Sequence, residues 1–552
     1  MLKWNQVQNI LSRRVSVNAL VFSVSLLLAS AGNLHFWSVF LDAVGGLSFA
    51  HLPLVAGSFA IVALLFHALL TLTSFRPMAK PALIAAVLTA SAAAWFINEY
   101  GVVIDRTMIQ SVVETDLREA AELLNWRLLL FVALTGGLPS LLIAQIRIHF
   151  PAGARGLGHR AGIIAASLAL AAVLLAILFK SLAPAVREHR ELRYLLTPTN
   201  VIQATSSYVR SHWSTPVSVA ALGRDAVRGS RWAGQSRRTV TVIVVGETAR
   251  AANFSLNGYT RDTNPQLAQE TGLINFSKVQ SCGTATAVSV PCVFSALGRA
   301  RYDETRARHQ EGLLDVLAHA GFEVLWRDNN SGCKGVCDRV TFQDLSTPGS
   351  GREHCAGEEC YDEGLLAGLP ELIRRPGRDL IIVLHQKGSH GPAYAKRYPA
   401  GFGRFGPVCD TGNFEECSRE AIVAAYDNTI LYTDHFLAKT IDMLRAAARD
   451  DGVDTTMLYF SDHGESLGEH NMYLHGAPYL FAPDEQTHVP MMLWMSNSFT
   501  DRFRIDPACL RARRDQVLSH DNVFHSVLGM LDVDTAVLNP KLDLFHACVR
   551  NG

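Results

Sequence analysis

Before Cys282 the chain contains no cysteine at all. That excludes disulfides and thiolate metal sites from its N-terminal half. Net charge is lacking too: 50 basic residues balance 50 acidic ones. A nucleic-acid binder would carry a basic excess to meet phosphate, so that class is not expected. At 552 residues the chain exceeds one ordinary domain. Hydrophobic residues make up 49%, and they are unevenly spread. Residues 1–183 are dominated by Ala, Leu, Val, Ile and Phe, while the remainder reads as an ordinary globular domain. A membrane domain followed by a soluble one is the simplest organisation.

A bilayer core requires about 20 apolar residues of helix. Five stretches qualify: Val15–Phe36, Leu47–Leu72, Pro81–Ile97, Leu128–Ile146 and Ala161–Phe179. The first resembles a secretory signal, but its length and the spans after it favour a retained anchor. Lys3, Arg13 and Arg14, then Arg76 and Lys80, then Arg147, Arg155 and Arg160 fall on one side of five spans. Basic loops stay in the cytoplasm, so the loop between spans three and four faces outward, with everything after span five. That loop places Ser111, Thr115 and Glu119 at i, i+4 and i+8, one face of a helix. Alone, such a face is as well read as a solvated one. His51 and His67 read as packed or interfacial residues. Residues 184–236 interleave Arg187, Arg190, Arg193 and Arg210 with Tyr194, Tyr208 and Trp213, a composition suited to the headgroup zone. The expected divisions are a transmembrane domain over 1–183, a membrane-surface bridge over 184–236 and a catalytic domain over 237–552.

All ten cysteines lie in that last part, mostly in close pairs. An even count outside the cytoplasm points to disulfides. Cys333 and Cys337, or Cys355 and Cys360, also roughly fit zinc-ligand spacing. Thiolate-only zinc sites cluster in cytosolic proteins, however, and the topology points outward.

Thr239–Gly246 is a continuous β-branched apolar run, the mark of a strand buried on both faces. Phe322–Trp326, Asp379–His385, Thr455–Phe460 and Pro490–Met495 are similar. Helical patterns, including Glu311–Ala320 and Arg419–Ala448, alternate with them. The alternation predicts an α/β domain with a mostly parallel sheet. Ligands bind beyond the carboxyl ends of such strands. There the sequence reads Gly246-Glu247-Thr248, then His385 through His390, then Ser461-Asp462-His463. Carboxylates and imidazoles without thiolates suit Zn²⁺ and permit Mn²⁺. Glu247, Asp462 and His463 would supply three ligands. Thr286, between Cys282 and Cys292, is a candidate nucleophile at the start of a helix whose N–H groups favour a phosphoryl oxygen. Without the metal residues it would be an ordinary cap in a stapled loop.

Taken together, Val244-Val-Gly-Glu247-Thr-Ala-Arg250, Ser281-Cys-Gly-Thr-Ala-Thr286 through Pro291-Cys292, Asn329-Asn330 with Lys334, Gly388-Ser-His390-Gly-Pro, Ser461-Asp-His-Gly-Glu-Ser-Leu-Gly-Glu-His470 and Tyr473-Leu-His475-Gly resemble the lipid A phosphoethanolamine transferases, including the mobile colistin resistance enzymes. More distantly they resemble the alkaline phosphatase and sulfatase superfamily. The resemblance implies that Glu247, Thr286, Asp462 and His463 bind the catalytic zinc, with Thr286 as nucleophile. It implies that His390 and His475 lie near the transferred group, where a second zinc sometimes binds, and that Lys334 lies near the phosphate. Donor-lipid residues map onto Ser111, Thr115 and Glu119, with Ser departing from the family's Asn at the first place. Implied disulfides are Cys282–Cys292, Cys333–Cys337, Cys355–Cys360 and Cys409–Cys417, leaving Cys509 and Cys548 for each other.

The expected reaction moves phosphoethanolamine from phosphatidylethanolamine to a lipid A phosphate through Thr286, weakening the binding of cationic peptides of the polymyxin type. The expected setting is the bacterial inner membrane, with a monomeric enzyme whose catalytic domain is periplasmic. Core oligosaccharide as acceptor, a phosphoglycerol transferase or hydrolase, and a silent lipid sensor are the competing readings.

Overall fold

The computed structural model describes residues 14–49, 51–114, 117–151, 153–189, 192–212, 218–234, 236–347, 354–356 and 359–550. Two compact units emerge. One comprises residues 1–109 and 124–209; the other comprises 110–123 and 210–552.

The first unit holds five helices long and apolar enough to cross a membrane: Val17–Ala43, Leu52–Thr73, Ala79–Tyr100, Trp126–Gln145 and Gly156–Ala183. They sit within a few residues of the five apolar runs, so this is a multi-pass membrane protein. Local chemistry sets their ends. Ser16 Oγ accepts from Ala19 N at 3.2 Å to cap the first, and Asn125 Oδ1 accepts from Leu128 N at 2.8 Å to cap the fourth. Gly101 stops the third at φ 65°. The first span breaks at a 3₁₀ turn, Ala31–Asn33. The fourth contains a π turn, Ala133–Gly137. Gly136 there faces Ser91 of the third span so closely that a Cβ would lie 3.0 Å from the serine side chain. Small residues allow this approach, and the Ser91–Thr135 hydroxyl pair at 2.6 Å adds a hydrogen bond across it. Leu129, Leu134, Leu141, Ile177 and Phe179 remain exposed, as expected where lipid is the solvent. A two-strand parallel pairing of Arg14–Ser16 with Arg147–His149 was not evident from sequence. Residues 192–209 form the short helix Leu192–Leu195 and most of Thr199–His212. Arg190 and Trp213 lie outside the described residues.

The second unit is built on eight strands: β1 (Thr239–Gly246), β2 (Ile274–Gln280), β3 (Glu323–Asp328), β4 (Thr341–Asp344), β5 (Leu380–His385), β6 (Asp454–Ser461), β7 (His488–Met495) and β8 (Leu518–Ser519). Their order is β8-β2-β7-β6-β1-β5-β3-β4. Only β7 runs against the rest, antiparallel to both β6 and β2. The sheet is therefore mostly parallel. All eight residues of β1 are buried, which accounts for its unbroken apolar pattern. Three strands escaped the sequence reading for physical reasons. β2 alternates between buried and partly exposed positions and carries Asn275, Ser277 and Lys278. β4 is an edge strand with every residue exposed, and β8 has only two residues. β7 starts two residues before the expected Pro490, and its register with β2 shifts between Val489 and Met491. Proline offers no N–H to the ladder, so a bulge at Pro490 is the natural accommodation.

Helices cover the sheet. The longest, Arg419–Asp450, is capped by Ser418 Oγ accepting from Ala421 N at 3.2 Å. All five expected disulfides are present: Cys282–Cys292, Cys333–Cys337, Cys355–Cys360, Cys409–Cys417 and Cys509–Cys548.

Ile243 at the centre of β1 is fully buried in the main apolar cluster. Ile243→Ala is expected to remove about 2–5 kcal/mol of stability from this unit. Thermal unfolding followed by fluorescence should show a lowered midpoint; an unchanged one would contradict the packing described.

Candidate active site

Because β1, β2, β3, β5 and β6 run the same way, their carboxyl ends share one rim. Glu247 follows β1, and Asp462 and His463 follow β6. All three are fully buried, and one ligating atom from each lies within 4.8 Å of the others. His463 Nδ1 sits 2.9 Å from the Gly464 carbonyl oxygen. A carbonyl only accepts, so Nδ1 carries the proton and Nε2 turns a lone pair inward. Nε2 is 3.3 Å from Glu247 Oε1 and 3.4 Å from Asp462 Oδ2. Asp462 Oδ1 accepts from His463 N at 2.7 Å and Thr248 N at 3.2 Å, while among the described residues buried Oδ2 has no hydrogen-bond partner.

Lone pairs thus face one another in a dry space. Burial, reinforced by the Asp462 charge, holds Glu247 above the ordinary carboxylate range. Burial does the same to Asp462. Burial, then neighbouring His475, pushes His463 far below its usual value, which keeps it neutral. Two oxygens and one nitrogen, tightly grouped and with burial opposing any uncompensated negative charge, fit a divalent cation of the zinc type.

The turn after β1 is strained to make this geometry. Thr248, β-branched, adopts φ 51°, a conformation costing about 1–3 kcal/mol. Tyr426 holds it, donating its hydroxyl to Thr248 O at 2.7 Å and accepting from Arg250 N at 2.9 Å. Gly388 at φ 56° passes so near that a Cβ would lie 2.6 Å from Glu247 O, so only glycine fits.

Thr286 begins the helix Thr286–Val293 after β2. Its Oγ1 donates toward both Glu247 oxygens at 3.1 Å and lies 3.3 Å from His463 Nε2. Ser289, one turn on, donates to Asp462 O at 2.5 Å and ties this helix to the end of β6. His475 stacks beside His463, ring centres 4.5 Å apart, and His390 lies 5.2 Å beyond it. His475 Nδ1 bonds Glu465 Oε2 at 2.8 Å. Burial opposes its charging, but the buried Glu465 carboxylate overcomes this and raises His475 to about 9.

Not every expected residue joins this cluster. Lys334, in the loop closed by Cys333–Cys337, donates to Ser331 O and Oγ at 3.0 Å each. Ser111 lies partly exposed on the helix Arg106–Glu114. Thr115 and the Glu119 side chain lie outside the described residues. Residues 110–114 and 117–123 of that loop group with the α/β unit. Gln110 donates to Glu304 at 2.9 Å, and Glu122 pairs with Arg397 at 2.7 Å. Arg397 in turn donates to His390 O at 2.8 Å.

A supporting shell surrounds the cluster; His385 and Asn330 stood in the segments singled out from the sequence, but without this role. Asn330 donates to Glu247 Oε2 at 2.6 Å. His385 bonds Asp328 at 2.7 Å. Buried Asp362 receives Lys387 N at 2.8 Å and Gly388 N at 3.1 Å. Tyr394 donates to Glu465 at 2.6 Å. Asp328 and His385 end strands and Asn330 follows two residues after one, so the strand-end rule itself was the available signal.

This fold and rim define a member of the sulfatase class, and the Sulfatase family model matches residues 239–533. A second family model, Phosphoethanolamine transferase EptA/EptB, matches residues 62–213. Phosphoethanolamine transferase EptA of Escherichia coli K12 is 41% identical over 510 residues, 91% of each chain. Phosphatidylethanolamine transferase Mcr-1 of Escherichia coli is 38% identical over 94% of this chain and 96% of its own. The solved lipooligosaccharide phosphoethanolamine transferase A of Neisseria meningitidis superposes with a TM-score of 0.92 at 34% identity, covering 98% of this chain and 100% of that one. The chain belongs to the phosphoethanolamine transferase family.

Asp462→Asn should abolish stoichiometric zinc binding by the purified protein. Asn330→Ala should weaken it by about 10- to 100-fold. Chelator competition measures both, and wild-type affinity in either variant would contradict the assignment of Asp462 or Asn330.

Proposed function

We propose that this enzyme transfers phosphoethanolamine from phosphatidylethanolamine to a lipid A phosphate, through a covalent adduct on Thr286, at a bacterial inner membrane with the catalytic unit in the periplasm. The observation that carries the reading is the Thr286 hydroxyl set against Glu247 and His463 in the buried donor cluster. Glu247, Asp462 and His463 would hold zinc, with Thr286 beside it; bound there, zinc supplies Lewis acidity for the hydroxyl and for charge developing on phosphorus. A second zinc is proposed near His390 and His475.

In the first step Thr286 Oγ1 forms a bond to phosphorus, and the ester bond to diacylglycerol breaks. The hydroxyl proton starts on the hydrogen bond to Glu247. His475, kept cationic by Glu465, is suited to protonate the departing glycerol oxygen or to clamp a phosphoryl oxygen. In the second step a lipid A phosphate oxygen forms a bond to the same phosphorus, the bond from Thr286 Oγ1 to phosphorus breaks, and the proton returns to Thr286 along the hydrogen bond to Glu247. His390, beside His475, serves the same charge, and Lys334, Ser111, Thr115 and Glu119 are assigned to substrate binding. A new ammonium on lipid A would weaken polymyxin-type peptides, the resistance phenotype proposed here. The enzyme is proposed to act as a monomer, its membrane anchor concentrating two lipid substrates.

Thr286→Ala should eliminate phosphoethanolamine from lipid A in cells expressing the protein, read by mass spectrometry, while thermal unfolding stays normal. Unaltered modification would overturn the mechanism. Glu465→Gln removes the group that raises the pKa of His475, so this histidine should lose its proton at lower pH. The alkaline limb of the transfer rate should therefore shift toward neutrality; an unmoved limb would remove His475 as the cationic participant.

A further inference from the structure

The membrane unit contains a cavity of about 870 Å³ that the transfer reaction does not use. Its cationic lining is Arg14, Arg76, Lys80 and Arg160; Phe150 and Leu157 contribute an apolar wall. Arg14 lies just before span one, Arg76 in the turn between spans two and three, Lys80 in the first turn of span three, Phe150 in the segment joining spans four and five, and Leu157 and Arg160 at the start of span five. Chain direction alone therefore puts them at one membrane end, the end with the basic loops.

Among the described residues no carboxylate answers this charge. Segments 1–16, 74–80 and 146–160 contain no Asp or Glu, and among the described residues none of the four cations is ion-paired. Two of them are built into the unit. Lys80 Nζ donates to Ala144 O at 2.5 Å, and an Arg160 N–H donates to Thr71 O at 2.9 Å. Both acceptors are carbonyls in the last turn of a span, where a cation also meets the negative end of the helix dipole. Arg160 further lies over the Phe75 ring at 4.6 Å. Each of these cations keeps N–H groups to spare. Pairing of Arg14–Ser16 with Arg147–His149 places Arg14 opposite Arg147, and like charges set opposite in this way repel each other. A pocket that gathers positive charge without counter-charge is complementary to an anion, and its volume falls in the range of ligand sites.

We propose that this pocket binds a phosphate-bearing anion, the headgroup of an anionic phospholipid of the cytoplasmic leaflet. The apolar wall favours a lipid over free phosphate, because the glycerol and upper acyl chain then find a surface. Basic pockets between spans on this side of a membrane are suited to such headgroups. The inference stands apart from the transfer chemistry at Thr286.

The test uses the full-length protein in neutral detergent, with native mass spectrometry after adding equal phosphatidylglycerol and phosphatidylethanolamine. Arg14→Gln with Arg76→Gln leaves the two helix-end hydrogen bonds intact, and Lys180→Gln, at the opposite end of span five, is the control. Wild type should retain phosphatidylglycerol preferentially. The double variant should lose about 30-fold of that retention, with an unchanged unfolding midpoint, and Lys180→Gln should lose none. Equal retention of both lipids by wild type, undiminished retention by the double variant, or an equal loss in the control would overturn the site. Complete displacement of the lipid by millimolar inorganic phosphate would overturn the lipid assignment in favour of the free anion.

Discussion

Two buried carboxylates and a neutral imidazole share one small dry space, and the rest of the α/β unit is arranged around that juxtaposition. Leaving such charges uncompensated costs several kcal/mol per ion. The fold accepts this and adds strain at Thr248. It meets part of the demand with Asn330 on Glu247 and backbone N–H groups on Asp462. What remains unsatisfied, Asp462 Oδ2 and the inward lone pair of His463 Nε2, matches a divalent cation. The hydroxyl of Thr286 stands where such a cation would act on it.

Parallel strands make this economical. Each strand delivers its last residues to the same rim, so residues far apart in sequence converge without long connections. Supporting groups use the same rim. Asp328, Asn330 and His385 brace Glu247 from β3 and β5, and Glu465 with Tyr394 sets the charge of His475. The loop between spans three and four joins this unit through Gln110 and Glu122. A segment flanked by membrane spans in sequence thus belongs structurally to the α/β unit, and Arg397 links it to the backbone of His390.

Buried elements were legible in the sequence and half-exposed ones were not. Lipid and sheet core both select unbroken apolar runs, so the five spans and β1, β3, β5, β6 and β7 stand out. β2 has a polar face and β4 is wholly exposed, so neither carries that signature. Glu247, Asp462 and His463 could be picked because the strand-end rule says where to look, and Thr286 because it lies between Cys282 and Cys292 at the start of a helix. The shell behind them was harder, since Asp362 and Tyr394 lie in loops whose approach depends on tertiary packing. Lys334 was brought forward by the family resemblance alone, and its ammonium donates to Ser331 O and Oγ. Naming the donor and acceptor lipids required the family, because charge and spacing describe a phosphate and a metal, not the molecule that carries them.

The central claim is that Thr286 carries phosphoethanolamine between two lipids. Incubating the zinc-loaded enzyme with phosphatidylethanolamine in the absence of acceptor, followed by acid quench and peptide mass spectrometry, addresses it most directly. The account predicts a phosphoethanolamine adduct on Thr286 that disappears when lipid A is added. Steady transfer to lipid A with no adduct on Thr286 at any time would contradict it.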